Sequence, residues 1–380
     1  MLKIVFLLLG LLGLIHRLIF KGLSTRTNFL NNLASKQIDY NLGAGVPPLN
    51  LYPELNLGSL FGEDKIPFNS KFINYHETQG FIIKEASVFL KKNENVQIDS
   101  NNIIITNGVQ EAISLAISCF KEKTLACIEP SYPGFEDAAK TFGCNTIKFQ
   151  ESSWLKELEN LSTGSLFYLS ADFSNPTGYS LNLEERKRLI ELAAEKNFYI
   201  FDDATYRPFN LDEPLPSLVS LNSEKVIHAM SFSKIVAPGL RTGFNAIPST
   251  LINDFISAKS NLSLNNSGIT QKIVSDWLRL NNYSLSDHLS KVKDRLKRNR
   301  AMLNLHGINF NGGFFCTLKS NKSINYEFCE RLLLNEQIGV IPMMLFSDNP
   351  IYKNQMRICV ANIEDQDLGK VIQKIKDFEA

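Results

Sequence analysis

The sequence has few cysteines and lacks the close spacing that a cysteine metal site requires. None of them forms a CxxC pair, and most lie in apolar runs such as the one at 125–128. Zinc sites built from cysteine normally use such pairs, so we predict no bound metal. Buried free thiols are typical of a reducing compartment, and we therefore predict a cytoplasmic protein. The six cysteines are Cys119, Cys127, Cys144, Cys316, Cys329 and Cys359.

An excess of charge of either sign is also missing. Lys and Arg number 40 against 39 Asp and Glu, giving a formal net charge of +1 with 44% hydrophobic residues. This composition is typical of a soluble globular protein and provides no electrostatic attraction for nucleic acid. We therefore expect a small-molecule substrate. A chain of 380 residues exceeds what one hydrophobic core usually supports, which predicts two domains.

The apolar run near the N-terminus is too short to cross a bilayer. It covers 12 residues, 4–15, whereas a spanning helix needs about 20. No small-x-small cleavage site follows it. Two interpretations remain open, which are membrane contact through residues 1–20 and a structural arm. We assign residues 1–30 to this separate segment, and membrane contact there would attach a cytoplasmic protein peripherally.

Repeats and low-complexity linkers are absent, and residues 102–248 instead alternate short apolar runs with helix-like segments. This alternation is typical of βαβ units, and it predicts an α/β domain with a mostly parallel sheet covered by helices. Helices are predicted at 108–120 and 183–195. Strands are predicted at 102–106, 125–128, 165–169, 198–201, 226–230 and 244–247.

The pattern changes after residue 250. A long charged helix is predicted at 285–305 and a closing helix at 363–378, with short strands at 313–318, 340–343 and 356–360. This mixture predicts a second, smaller α+β domain. We assign residues 51–285 to the large domain, and residues 31–50 together with 286–380 to the small domain.

The most informative polar residues follow the strand predicted at 226–230. SFSK at 231–234 comes first, and PGLR at 238–241 follows. In parallel sheets, ligands bind in the crevice at the carboxyl ends of the strands. A desolvated lysine such as Lys234 loses its proton readily and forms an imine with an aldehyde. If this aldehyde belongs to a cofactor that also carries a phosphate, Arg241 could bind that phosphate.

Two acidic residues follow the strand predicted at 198–201. A carboxylate at this strand end can pair with a pyridinium nitrogen, which makes the ring an electron sink. Tyr206, three residues after Asp203, can hydrogen-bond the phenolic oxygen of such a ring. Asp202 is a competing candidate, and both acids could simply cap a turn. The spacing to Tyr206 favours Asp203.

Three further turns carry weaker signals. Asn175, in NPTG, can donate to the phenolic oxygen or to a substrate carboxylate, although NPTG is also a common turn. Gly108, Val109 and Gln110 open a helix whose first amides and dipole suit a phosphate. Tyr132, in EPSYPG, could stack on a flat ring or pack on the core.

Together these motifs make the chain resemble the class I and II aminotransferases, which are pyridoxal phosphate (PLP) enzymes of fold type I. The resemblance runs from about Asn41 to the C-terminus, and SFSK with PGLR is close to diagnostic. It implies that Lys234 forms the Schiff base with PLP and carries protons, and that Asp203 binds the pyridine nitrogen. The other implied cofactor contacts are Gly108, Val109, Gln110, Ser231 and Arg241 at the phosphate, Tyr206 and Asn175 at the phenolic oxygen, and Tyr132 against the ring.

The resemblance extends to substrate and assembly. Arg357 matches the arginine that binds the substrate α-carboxylate, with an ordinary strand-edge arginine as the alternative, and Gly45 matches a glycine lining the substrate side. Tyr75 matches a tyrosine that reaches the phosphate of the neighbouring subunit, which implies a homodimer with shared active sites. The family often has Pro-Gly and an aromatic where this chain has PMMLF at 342–346, so we expect a softer, apolar pocket.

The activity that the resemblance implies is transfer of an amino group between an α-amino acid and a 2-keto acid, by a ping-pong mechanism. A second interpretation keeps PLP but changes the reaction to that of a lyase or cyclising enzyme of amino-acid metabolism, because the same motifs serve both. A third is a PLP-binding sensor domain of a bacterial regulator. Such regulators carry a winged-helix module first, whereas only about 40 residues, many apolar, precede Asn41.

Overall fold

A computed structural model describes Phe29, Leu33, residues 38–53 and residues 73–379 of the chain. The predicted apolar segment, residues 1–30, lies outside these residues except for Phe29. None of the helices in the described ranges has the length and apolar character that crossing a membrane would require.

The secondary structure confirms the predicted elements, with ends shifted by at most two residues, except for the strand predicted at 340–343. The strands are β1 (Tyr40–Asn41), β2 (Ile103–Thr106), β3 (Leu125–Glu129), β4 (Thr146–Gln150), β5 (Leu166–Leu169), β6 (Tyr199–Asp203), β7 (Val226–Ser231), β8 (Gly243–Ala246), β9 (Phe315–Lys319), β10 (Ile338–Gly339), β11 (Ile341–Pro342) and β12 (Gln355–Cys359). The helices are α1 (Ile83–Glu94), α2 (Val109–Cys119), α3 (Pro133–Thr141), α4 (Trp154–Glu157), α5 (Leu183–Lys196), α6 (Leu218–Leu221), α7 (Ile252–Leu262), α8 (Gly268–Leu280), α9 (Ser286–Leu305), α10 (Tyr326–Glu336) and α11 (Asp365–Glu379).

Seven strands form one sheet in the order β2-β8-β7-β6-β5-β3-β4. Neighbours from β4 to β7 pair in parallel, whereas β8 runs antiparallel to β7 and to β2. The predicted α/β class with a mostly parallel sheet is therefore confirmed. The sequence analysis missed β4, which lies at the sheet edge and alternates polar with apolar residues, so it lacks the apolar run of a central strand.

Both faces of this sheet are covered, as a parallel sheet requires. Ile103, Ile104 and Ile105 are consecutive in β2 and fully buried, and they belong alternately to the two apolar layers. Helix α5 begins with a capping box, in which Asn182 and Glu185 each accept a hydrogen bond from the other's backbone amide. These two bonds pair backbone amides at the start of α5 that would otherwise lack partners within the helix.

A second, antiparallel sheet has the order β11-β12-β9 and belongs to the C-terminal part of the chain. The strand predicted at 340–343 is instead two short strands, because β10 pairs with β1 whereas β11 pairs with β12, and Val340 lies between them. Met343 then begins a 3₁₀ turn, which ends β11. Strand β1 pairs in parallel with β10, which supports the proposed grouping of residues 31–50 with 286–380. The exact domain boundaries stay a proposal.

All six cysteines lie in the described part of the chain and are free thiols. Four are buried as predicted, but Cys119 and Cys144 are only half-buried, because each lies near the end of a surface helix.

Candidate active site

A cavity of about 240 Å³ opens where β6 and β7 end, and the predicted site residues collect around it. A second cavity of about 990 Å³ shares Phe315 with it, but none of the predicted site residues lines that one. The smaller cavity is therefore the candidate active site. Eleven of the thirteen predicted residues line it, and they are Gly45, Val109, Gln110, Tyr132, Asn175, Asp203, Tyr206, Ser231, Lys234, Arg241 and Arg357.

Gly108 lies directly beside the cavity, and its lack of a side chain leaves space next to Arg241 and Ser231. Its backbone has φ +75°, and a Cβ at this position would lie 2.9 Å from Nη2 of Arg241 and 3.4 Å from Oγ of Ser231. A side chain there would fill the space between these groups. Because α2 begins at the next residue, its first amides and the positive end of its dipole add to this corner.

Ser231, Ser233 and Arg241 form a hydrogen-bonded group that we call the serine–arginine cluster. Ser231 Oγ donates to Ser233 Oγ at 3.0 Å, and Arg241 Nη1 donates to the same oxygen at 3.0 Å. Arg241 Nη2 donates to the carbonyl of Asn107 at 2.7 Å. With the start of α2, the cluster presents hydroxyl, guanidinium and amide donors together, which is the donor set that binds a phosphate.

A polar group made of Glu111, Lys259 and Asn266 stabilises the start of α2. Glu111 accepts hydrogen bonds from the Asn107 amide, from Lys259 Nζ at 3.1 Å and from Asn266 Nδ2 at 2.8 Å. Burial raises the pKa of Glu111, but Lys259 and these hydrogen bonds outweigh it and hold the pKa below its usual value. The carboxylate therefore stays charged and fixes the turn that precedes the helix.

Asp203, at the end of β6, is the acidic group of the cavity. Its Oδ2 accepts a hydrogen bond from the Tyr168 hydroxyl at 3.0 Å, and its Oδ1 accepts one from the Thr205 amide at 3.1 Å. Burial raises the pKa of Asp203, and these two donors partly oppose the rise. Asp202 is absent from the cavity lining: it accepts from the Ala171 amide and lies 3.3 Å from Nδ1 of His228.

Lys234 lines the same cavity, three residues after β7 ends. Burial lowers the pKa of its amine, and the positive charges of Arg241 and Arg357 lower it further, although Cys359 and Asp203 act in the opposite direction. A lysine with a lowered pKa has more of its amine in the neutral form, which is the form that attacks a carbonyl carbon.

Arg357, on β12, is the centre of a second group that we call the Arg357 cluster, made of Gly43, Asn175, Phe315, Phe346 and Arg357. Its Nη1 donates to Asn175 Oδ1 at 2.8 Å, and its Nη2 donates to the carbonyl of Gly43. The guanidinium carbon lies 4.3 Å from the ring centroid of Phe315 and 5.0 Å from that of Phe346. Its Nε is buried with no hydrogen-bond partner, so a donor remains for a carboxylate.

The aromatic walls of the cavity leave little room at Gly45. A Cβ there would lie 2.5 Å from Cζ of Phe315 and 3.2 Å from the Tyr206 hydroxyl oxygen. The Tyr206 ring packs edge-on against Phe315. Tyr132 donates from its hydroxyl to Gln110 Oε1 at 3.1 Å, so this tyrosine faces the cavity rather than the core alone.

Tyr75 is the predicted residue that the structure does not bring to the cavity. Its side chain is 86% exposed. The neighbouring His76 is held through Nε2 by the carbonyl of Asn266, at 3.0 Å, which ties this segment to the loop between α7 and α8.

Sequence reasoning missed four residues that contact the site. Ser233 belongs to SFSK and Thr205 lies between Asp203 and Tyr206, but neither was given a role, and Phe315 lies within a predicted strand. Tyr168 occurs within a predicted strand and resembles an ordinary core residue. The alternation of β5 and β6 could have indicated it, because residues 201 and 203 share one face of the sheet.

Comparison with known proteins gives a consistent result. The family model for aminotransferase class I and II matches residues 69–375. A 2-aminoadipate transaminase of Thermus thermophilus is 25% identical over 359 residues, 88% of each chain. The helix-turn-helix transcriptional regulator NorG of Staphylococcus aureus is 24% identical over 371 residues, which cover 92% of this chain and 82% of the regulator. The crystal structure of α-aminoadipate aminotransferase LysN of Thermus thermophilus, complexed with N-(5'-phosphopyridoxyl)-L-leucine, superposes with a TM-score of 0.79 at 22% identity, covering 94% of this chain and 97% of LysN.

Proposed function

Because this chain belongs to the class I and II aminotransferase family, whose cofactor is PLP, we propose that it transfers amino groups between an α-amino acid and a 2-keto acid in the cavity around Lys234. The observation that carries this proposal is the set of groups lining one cavity. It combines a lysine of lowered pKa, a buried carboxylate and an arginine with an unused donor.

The residues around the cavity fit the cofactor. The serine–arginine cluster and the first amides of α2 would bind the phosphate, and Gly108 leaves the space that this requires. Asp203 would pair with the ring nitrogen. Asn175 and Tyr206 would hydrogen-bond the phenolic oxygen, and Tyr132 would lie against the ring. When bound, PLP supplies an electrophilic aldehyde carbon and a protonated ring that withdraws electrons from the substrate Cα.

The chain's own residues would supply orientation and proton transfer. Arg357 would bind the substrate α-carboxylate through its Nε and a guanidinium edge, as a planar fork that holds the amino acid in one orientation. The Lys234 amine would act as a base that accepts the proton from the substrate Cα, and in the reverse direction it would give this proton back to Cα. Because burial lowers its pKa, more of this amine is in the neutral form than in an exposed lysine, and the neutral form is the one that acts as a base.

Two other outcomes are worth testing, a regulator because of the similarity to NorG and a lyase because the same motifs serve both reactions. An enzyme and a transcriptional regulator align at nearly the same identity, 25% and 24%, so identity alone does not separate them. The regulator reading requires DNA binding at low salt. The lyase reading requires ammonia release without any keto-acid acceptor. The Arg357 cluster favours chemistry on an amino acid, because it offers a built site for a carboxylate.

The test is to titrate the purified, PLP-loaded protein with a panel of α-amino acids and follow the visible absorbance band of the bound cofactor. We expect one or more donors to remove the band, and a 2-keto acid to restore it, with one keto acid formed per amino group accepted. Band loss that releases ammonia, with no recovery on adding keto acids, would indicate a lyase. No response to any amino acid would contradict the proposal.

We further propose that the active enzyme is a homodimer. Five exposed apolar residues, which we call the apolar patch, lie on residues 73–76 and on the segment from the end of α7 to the start of α8. A hydrogen bond from Asn265 Nδ2 to the His76 carbonyl, at 3.0 Å, joins these two segments. A solvent-exposed patch of this kind is typical of an interface. The patch consists of Ile73, Tyr75, Leu262, Leu264 and Ile269. The loop between α7 and α8 also connects to the start of α2, because Asn266 Nδ2 donates to Glu111 Oε2 at 2.8 Å.

Light scattering should give twice the chain mass of 42.9 kDa. A Leu264→Asp variant should shift the mass towards that of one chain, because it places a charge in the patch. Glu122→Asp, a change on a surface turn, serves as the control. A monomeric wild-type protein with full activity would contradict the dimer.

A further inference from the structure

The segment between β11 and β12 forms part of the wall around Arg357. It contains Phe346, whose ring centroid lies 5.0 Å from the Arg357 guanidinium carbon, and Ser347 and Asn349 follow. Phe346 is buried with 2% of its surface exposed. The position of this segment therefore determines how the guanidinium is packed.

Three hydrogen bonds join this segment to the ends of β3 and β4, which belong to the other, seven-stranded sheet. Ser347 Oγ donates to Glu129 Oε1 at 2.7 Å, and Asn349 Nδ2 donates to Gln150 Oε1 at 2.8 Å. Gln150 Nε2 in turn donates to Glu129 Oε2 at 3.0 Å. Tyr352 adds a longer bond, from its hydroxyl to the Glu129 carbonyl at 3.4 Å. The three bonds made by Ser347, Asn349 and Tyr352 connect residues more than 190 positions apart in the sequence, whereas the bond between Gln150 and Glu129 lies within the seven-stranded sheet.

Burial and charge make this connection specific. Glu129 and Ser347 are 6% and 3% exposed, so the carboxylate depends on these donors in place of water. Lys148 Nζ lies 3.9 Å from Glu129 Oε1 and 3.5 Å from Asp348 Oδ2, which places one cation between the strand end and the segment. Loss of the Ser347 hydroxyl would leave Glu129 with one fewer donor in a buried place.

Ser347 also organises the segment itself. Its Oγ accepts a hydrogen bond from the Asn349 amide at 2.9 Å, so one hydroxyl both closes the turn and reaches across to Glu129. Glu129 lies three residues before Tyr132, which lines the cavity. The connection therefore joins two walls of the same site.

We propose that Glu129 and Gln150, with Ser347 and Asn349, form an interdomain latch that holds Phe346 against Arg357 and so sets the affinity for the substrate carboxylate. Glu129 and Ser347 are positioning residues, since neither lines the cavity. The inference rests on the proposed function for its substrate, but the latch itself is a feature of the fold that can be measured without turnover.

The test compares Ser347→Ala with Ser249→Ala. Ser249 also donates to a glutamate, Glu224, in an exposed place at the opposite end of the sheet from the cavity, so it is the control for loss of a serine–glutamate hydrogen bond outside the latch. We expect Ser347→Ala to raise KM for the amino acid donor about three- to tenfold, the loss of one buried hydrogen bond, with a smaller change in kcat. Ser249→Ala should leave KM unchanged.

A double-mutant cycle tests whether the effect of Ser347→Ala on KM acts through Arg357. In an Arg357→Ala background, Ser347→Ala should no longer change KM, because the carboxylate contact that it supports is already lost. Amide hydrogen exchange at 344–349 should rise in Ser347→Ala but not in Ser249→Ala. Asn349→Ala disturbs the latch from its more exposed end, and it should change KM and exchange in the same direction if the first variant folds poorly.

The outcomes separate the two proposals. A lowered melting temperature with unchanged KM, or an undiminished effect in the Arg357→Ala background, would overturn the latch as a positioning device. Unchanged exchange at 344–349 would show that no latch holds the segment. If wild-type protein converts no amino acid while exchange still rises in Ser347→Ala, the proposed function fails and the latch stands as a feature of the fold.

Discussion

The serine–arginine cluster and the Arg357 cluster are built in different ways. The first uses residues at 107–111 and 231–241, which lie on neighbouring turns at one edge of a single sheet. The second gathers Gly43, Asn175 and Phe346 around Arg357 from separate parts of the chain. The difference suggests that cofactor binding depends on local motifs, whereas substrate binding depends on how the two sheets are held together.

Lys234 is next to both clusters, since Arg241 and Arg357 each lower the pKa of its amine. Its removal should therefore have the largest effect and should not distinguish the clusters. We expect Lys234→Ala to abolish turnover and the visible band of the bound cofactor, while the melting temperature without cofactor changes little. Stopped-flow absorbance and thermal unfolding measure both. Near wild-type turnover in this variant would show that another residue reacts with the cofactor.

Asp203 and Asp202 are adjacent in sequence but face opposite layers, and this pair gives the next largest effect. Asp203→Asn should retain PLP but lower kcat on the order of a thousandfold, because the ring nitrogen loses its charged partner. Asp202→Asn should instead lower the free energy of unfolding by about 1–3 kcal/mol, because the buried His228 loses its partner. Steady-state kinetics and urea unfolding separate the two results. Equal loss of kcat in both variants would contradict the assignment.

Much of the fold and of the cofactor corner could be predicted from the sequence, for a physical reason. Buried parallel strands are short apolar runs, and the chemistry of such sheets follows the strands directly in the chain, as SFSK follows β7. Edge strands cannot be predicted in this way, because only part of each strand is buried. β4 has one buried residue among five, so its pattern matches a polar surface segment as well as a strand.

The Arg357 cluster and its surroundings were less accessible to prediction. Ser347 and Glu129 are 218 positions apart, and nothing in either local sequence specifies the other. The Tyr168 hydroxyl reaches Asp203 only because β5 and β6 pair in register, with Tyr168 opposite Phe201. Tertiary pairing of this kind is absent from local patterns, which explains why these residues were missed.

Arg357 and Arg241 provide the direct test of the comparison between clusters. Arg357→Ala should lower kcat/KM for an α-amino acid on the order of a hundredfold, because a desolvated guanidinium–carboxylate pair is lost, and Arg357→Lys should restore it only in part. Its affinity for PLP should change little. Arg241→Ala should mainly weaken PLP binding.

Comparing an amino acid with the matching amine that lacks the carboxylate gives the control for Arg357. The amine should be a poor donor for wild-type protein, and its kcat/KM should be the same in Arg357→Ala as in wild type. If wild type uses both donors equally well and the variant changes neither, the substrate is a simple amine, and the Arg357 cluster has no carboxylate to bind.

Tyr168 should give the smallest effect, and it tests whether the acidic group is tuned from within the sheet. The Tyr168 hydroxyl donates to Asp203, and burial already raises the pKa of that carboxyl above its usual value. Without this donor the pKa of Asp203 should rise further, because the hydrogen bond from Tyr168 favours the charged carboxylate. Since Asp203 must be ionised to pair with the ring nitrogen, the acidic limb of kcat/KM against pH should move to higher pH in Tyr168→Phe, with little change on the plateau.

Tyr199→Phe is the control, because its hydroxyl contacts Thr250 at the far end of β6, and its profile should match wild type. An acidic limb that stays in place or moves to lower pH would show that the Tyr168 hydroxyl does not set the charge of Asp203.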